Sequence, residues 1–232
     1  MDSRRLILVL VLLFVAVISV SVVSAQDDPC PVTAPSGTTA LLAAADACLN
    51  PAGPFYQRDA ARALVYAQEA AAAQPDPAGL ARAYDLQAWA HFWLGEPGQA
   101  IARQTQALIT LPAADRYLMR AAYMNQVGDV SGAIADAEQA ILLAPRQIDS
   151  YLWLGRYALE QGEFDVAWDV ANRAAAVAPD DADVVLLQGD TDYARADYPS
   201  ARAAYERYLS LTPDVSPVVT ARLMIIERRL GG

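Results

Sequence analysis

The chain has 232 residues and a formal net charge of −10, from 27 acidic against 17 basic residues and a single histidine. So acidic a balance excludes the basic face that nucleic acid requires and disfavours docking on anionic lipid. All 17 basic residues are arginine, which closes off Schiff-base and lysine-general-base chemistry.

Arg4 and Arg5 precede an uncharged 18-residue run from Leu6 to Val23, and Val23-Ser24-Ala25 places small residues just before Gln26. Residues 1–25 therefore read as an export segment. Cleavage as a signal peptide is the favoured outcome. The rival is an uncleaved N-terminal membrane anchor, because about 18 apolar residues is the lower edge of what spans a bilayer. Either outcome puts the rest of the chain outside the cytoplasm, in the cell envelope or secreted, and residues 6–23 are the only membrane contact if they stay uncleaved. Removing the +1 of residues 1–25 from −10 leaves −11 on the remainder.

Residues 26–37, with Pro29, Pro31, Pro35 and Gly37, read as a linker. Cys30 and Cys48 are the only two cysteines, and both lie past the export segment. In an oxidising compartment a pair this close reads as a disulfide that staples the extended start onto a helix at about 38–49. Closing such a loop is worth about 3 kcal/mol in the chain-entropy description. The alternative is a buried Cys48 beside a free Cys30. Metal binding does not fit, since no second pair and no histidine cluster accompany the cysteines.

Residues 38–80 read as an N-terminal cap. Its second part, 59–75, carries Ala63, Ala67, Ala70 and Pro75 at helical spacing, while Pro51 and Pro54 break the first part of what looks like a degenerate half-repeat. From residue 81 a pattern recurs every 33 to 34 residues. Gly95, Gly128, Gly162 and Ala196 align as turn residues, Ala100, Ala133, Ala167 and Ala201 as small packing positions, and Pro112, Pro145, Pro179 and Pro213 as terminators. Within 148–181, Tyr151, Leu154, Gly155 and Ala158 fall on one helical face, and Ala167, Ala171 and Ala174 repeat that logic after the turn. A fixed period of this length, built from two helical patterns, predicts an all-α solenoid of helix–turn–helix units. Residues 216–232 read as a capping helix, with Val219, Leu223 and Ile226 facing the last unit and Arg222, Glu227, Arg228 and Arg229 in water.

These motifs resemble the tetratricopeptide repeat family. The Leu154-Gly155 pair, the Gly162-Glu163-Phe164 turn, the alanines and the closing proline carry the likeness, with units at 81–113, 114–147, 148–181 and 182–215. The second unit departs from the pattern, with Arg120-Ala121 in place of Leu-Gly, and the first is one residue short. The resemblance implies a right-handed superhelix whose first helices line a concave groove. Its inward positions are Arg82, Asp85, Trp89, Phe92 and Trp93 in the first unit, and Asp115, Leu118, Ala122, Asn125 and Gln126 in the second. The third contributes Asp149, Leu152, Arg156, Leu159 and Glu160, and the fourth Asp183, Leu186, Asp190, Tyr193 and Ala194. The groove residues expected to bind are Trp89, Phe92 and Trp93 as apolar anchors, Leu118, Leu152 and Tyr193 beside them, and Asn125 and Arg156 as polar selectors. The competing reading has Trp89 and Trp93 simply covering the cap. The family's clamp for a C-terminal carboxylate needs paired asparagine and lysine. It does not fit Trp89, Ala122, Arg156 and Asp190 at the relevant position.

Catalysis finds little support. His91, seven residues after Tyr84 on the packing face, reads as a satisfied core or groove-edge histidine, since no nucleophile and orienting acid are singled out beside it. Asp180, Asp181, Asp183, Asp190 and Asp192 lack the glycine and closing glutamate of a calcium loop, and the first of them suit an inter-repeat turn and a helix start. The expectation is therefore a protein without cofactor or metal, not an enzyme, that binds another protein or peptide outside the cytoplasm. A tethered spacer or self-associating chain is the alternative, and an exported hydrolase built on His91 is a distant third.

Overall fold

The computed structural model describes residues 30–50, 59–73, 75–212 and 216–231. The export segment, the start of the linker, and Pro51, Pro54 and Pro213 lie outside the described residues. Among the described residues there are eleven helices and no strand: α1 Thr38–Leu49, α2 Ala60–Ala72, α3 Pro77–Trp93, α4 Pro97–Thr110, α5 Ala114–Gln126, α6 Val130–Leu143, α7 Ile148–Gln161, α8 Phe164–Val177, α9 Ala182–Ala194, α10 Tyr198–Leu211 and α11 Pro217–Leu230. Each helix packs mainly on its neighbours in the chain, and α7 touches both α5 and α9. The result is an all-α, right-handed solenoid of helix pairs with α1–α2 at one end and α11 at the other.

Helix starts follow from local chemistry. The carboxylates of Asp59, Asp76, Asp129, Asp181 and Asp197 accept from backbone N–H groups three residues on, at 2.8 to 3.3 Å. Proline occupies the first helical turn of α3, α4 and α11, where its missing N–H costs nothing. Turns between the helices of a pair need a left-handed residue. Gly95, Gly128 and Gly162 supply it with φ of 75°, 75° and 79°, and at the equivalent place Ala196 is held at φ 61°.

Small residues let the helices close up. Ala100, Ala133, Ala167 and Ala201 are all fully buried. At Gly155 an added Cβ would sit 2.5 Å from the Leu187 side chain, and at Gly189 it would sit 2.7 Å from the Tyr205 ring. Large side chains of one helix thus lie directly on the backbone of another.

Cys30 and Cys48 are joined in a disulfide, and both are buried in the cluster formed by α1, α2 and α3. Arg62 Nη1 donates to the Cys30 carbonyl at 3.1 Å, and the Tyr66 hydroxyl donates to the Pro31 carbonyl at 2.6 Å. The stretch before α1 is therefore tied to α2 by polar bonds as well as to α1 by the sulfur bridge.

The irregular second unit has a physical explanation. Arg120, in place of the usual leucine, forks onto Asp136 with two bonds of 2.7 Å and donates to Thr105 Oγ1 at 3.1 Å. Asp136 is buried, and its counterpart one unit on is Val170, which shares an apolar cluster with Leu154, the counterpart of Arg120. A buried ion pair occupies a place held elsewhere by an aliphatic contact.

At α11 one expectation needs correcting. Val219 and Ile226 are buried against the last unit and Leu223 packs beside them, but Arg222 is not a wet residue. It pairs with Asp190, bonds the Tyr205 hydroxyl at 3.0 Å, and lies over the rings of Tyr193 and Tyr205. Facing α9 at i−4 from Ile226 and i+3 from Val219, it belongs to the packing face, and the carboxylate opposite supplies its counter-charge.

Two stability measurements check these arguments. Arg120→Ala should cost about 3 kcal/mol in urea unfolding, because Asp136 stays buried without its partner, whereas Arg120→Leu combined with Asp136→Val should be neutral or stabilising. Ala196→Gly should raise stability by about 0.5–1 kcal/mol, the left-handed penalty relieved less the entropy of glycine.

Candidate functional site: the concave groove

The first helices of the four units, α3, α5, α7 and α9, form the concave wall. Between α3, α5 and α7 lies an open cavity of about 540 Å³ lined by Phe92, Ala122, Asn125, Gln126, Asp149, Leu152, Trp153, Arg156, Tyr157, Glu160 and Asp183. Phe92, Asn125, Leu152 and Arg156, four of the residues expected to bind, are thereby brought together.

The other expected residues sit elsewhere. Trp89 packs on the α1–α3 cluster and lines a second cavity of about 380 Å³, with Arg82, Asp85, Arg116 and Met119 among its neighbours. Its main contact is the cap, so the three aromatics of α3 do not act as one anchor. Trp93 is 43% exposed and meets Phe92 edge-on at 5.3 Å, outside the cavity lining. Leu118 is half-buried against the cluster of α6 to α9. Tyr193 is packed with Leu186 beside α11, in edge contact with Tyr198 at 5.9 Å. With Asp190 taken by Arg222, the fourth unit contributes only Asp183 to the cavity.

Two wall residues were not foreseen. Trp153 and Tyr157 stack at 5.0 Å, four residues apart on α7. That spacing puts side chains on one helical face, and it was the signal available in the sequence. The Tyr157 hydroxyl is buried without a hydrogen-bond partner, and burial, then the Asp129 and Glu160 carboxylates, push its pKa up.

The charges of the groove are unequal. Arg156 donates to Asp183 at 2.7 Å, and Gln147 donates to Asp115 at 3.1 Å at the rim. Asp149 and Glu160 have no ion-pair partner among the described residues.

His91 lies on the buried side of α3, with Nδ1 2.6 Å from Glu96 Oε2 and Nε2 buried without a partner. It is a core histidine, bonded through Nδ1 to Glu96. Among the described residues no group of three or more His, Cys, Asp or Glu side chains converges as a metal site, and no helix is long and apolar enough to cross a membrane.

Comparison with known proteins bears on the fold. No protein-family model matches the chain, and no curated protein matches it significantly in sequence. Among solved structures it is similar to MamA, at 17% identity and a TM-score of 0.59, over 75% of this chain and 91% of that one. It is also similar to YrrB, described as a TPR protein with an unusual peptide-binding site, at 15% identity and a TM-score of 0.59, over 82% and 92%. A tetratricopeptide repeat protein from Parabacteroides merdae matches at 13% identity and a TM-score of 0.65, over 84% and 73%. The fold is that of the tetratricopeptide solenoids. At these identities the likeness extends to architecture alone.

The closed end of the groove offers a test with a definite sign. Burial raises the pKa of Asp190, while Arg222 and the Tyr205 hydroxyl pull it back down. A raised folded-state pKa means that the folded chain holds this proton longer, so the group's contribution to stability falls as pH rises through the carboxylate range. Arg222→Ala should therefore cost about 2 kcal/mol at neutral pH in urea unfolding. That cost should shrink on acidification as Asp190 takes up its proton.

Proposed function

We propose that this chain is a non-catalytic adaptor that works outside the cytoplasm and binds a segment of another protein in the groove of α3, α5 and α7. The observation that carries the reading is the cavity of about 540 Å³, in which Phe92 and Leu152 stand beside Asn125 and Arg156. Apolar anchors with a few polar groups between them are what recognition of an extended or helical segment needs. YrrB, a protein of the same architecture, is described as having a peptide-binding site, which supports a peptide ligand here. The apolar run of Leu6–Val23 and the disulfide of Cys30 with Cys48 support a position beyond the cytoplasm, since such bonds persist where conditions are oxidising.

A second reading rests on the outer surface. Ile109, Leu142, Leu143, Val177 and Leu211 are exposed near the ends of the second helices, and an apolar row there suits stacking of one solenoid on another.

Capture from envelope and culture fractions separates the two. Phe92→Ala with Leu152→Ala should weaken retention of the partner at least tenfold while helical content is unchanged. Leu142→Ser with Val177→Ser should leave it intact. The reverse pattern, with a concentration-dependent sedimentation shift lost in the second variant, would assign the function to stacking.

A further inference from the structure

The groove's charges specify a ligand class, given that the groove is the binding site. Its lining holds three carboxylates, Asp149, Glu160 and Asp183, against one guanidinium, Arg156, which is already turned to Asp183. An acidic residue near a helix start has an ordinary structural explanation, because the positive end of the helix dipole favours it. That covers Asp149 and Asp183, each in the first turn of its helix. It does not cover Glu160. This residue stands in the last turn of α7, where the dipole disfavours a carboxylate, and no cation among the described residues pairs with it.

A second observation points to a ligand independently of charge. The α7 wall presents flat aromatic surface: the Tyr157 ring underlies it, while its hydroxyl, like that of Tyr123 one unit earlier, is sealed in the helix packing and belongs to the core. One turn before Tyr157, the Trp153 ring stacks on it, and Phe92 faces the same cavity. Flat aromatic surfaces take the aliphatic stem of a lysine or arginine and attract its charged head.

We propose that the bound segment is an extended basic peptide: a Lys or Arg side chain lies along Trp153 and Phe92 with its charge on Glu160. The overall negative field of the chain speeds the approach of such a ligand.

The test measures fluorescence anisotropy of three short peptide sets on the full chain, each alternating apolar residues with lysine or arginine, with glutamate, or with serine. Basic peptides should bind at least tenfold more tightly than the other two sets, and this preference should shrink in high salt. Glu160→Gln should remove most of the preference, and Glu160→Asp should keep part of it. Glu160→Gln should also be as stable as the parent or slightly more so, because it removes a carboxylate from the wrong helix end. A purely structural role for Glu160 predicts the opposite. Equal binding of all three sets, abolished by Phe92→Ala with Leu152→Ala, would overturn the basic preference and leave the groove as the site. Binding of no set, or binding indifferent to both groove variants, would overturn the groove reading as well.

Discussion

Close approach of helix to helix is the constraint on which the rest of this structure depends. A solenoid has no central core, so each pair must bury its remaining apolar face on the next. Alanine at the packing positions, and glycine where Leu187 and Tyr205 come in, bring the backbones near enough for large side chains to bridge two units at once. Because this contact recurs every 33 or 34 residues, the angle between units recurs too, and the concave wall is the geometric product of that repetition. The groove exists because the alanines are small.

Charge is laid over this packing in a consistent way. Asp46 with Arg82, Asp85 with Arg116, Glu138 with Arg173, Asp165 with Arg195 and Asp180 with Arg207 each join groups about one unit apart. Exposed pairs of this kind contribute little singly. The pair of Arg116 and Asp85 is better sheltered and forked, and Gln104 adds a further bond to the same carboxylate. Arginine suits these joints because its planar fork meets a carboxylate with two bonds and stays charged at any pH a protein meets. The interior pair of Arg120 and Asp136 serves differently. It holds one unit's two helices in register where its neighbour relies on Leu154 and Val170.

Much of this was legible in the chain itself. Period, turn glycines and terminal prolines are local signals, and the pairs α5–α6, α7–α8 and α9–α10 are assembled from residues that carry them. Even Ala196 occupies the left-handed turn that its alignment with three glycines implied. What the pattern did not show was long-range. Trp89 and Phe92 lie three residues apart on one helix, yet the first is absorbed by a cap whose own pattern is degenerate. Tyr193 and Asp190 occupy inward positions by alignment, but the partner that takes them lies about thirty residues on, in a helix outside the repeat. A repeat pattern describes an average unit. It is silent about the ends, where the neighbours differ.

The helix that closes the array also sets a ruler. Successive helices pack roughly 8–10 Å apart, so a groove held open by α3, α5 and α7 but occupied at α9 is on the order of 20–25 Å long. An extended chain advances about 3.3 Å per residue, which limits the enclosed stretch to about six or seven residues. Whatever lies in this groove is read as a short word, and the rest of the partner must find its footing elsewhere or hang free.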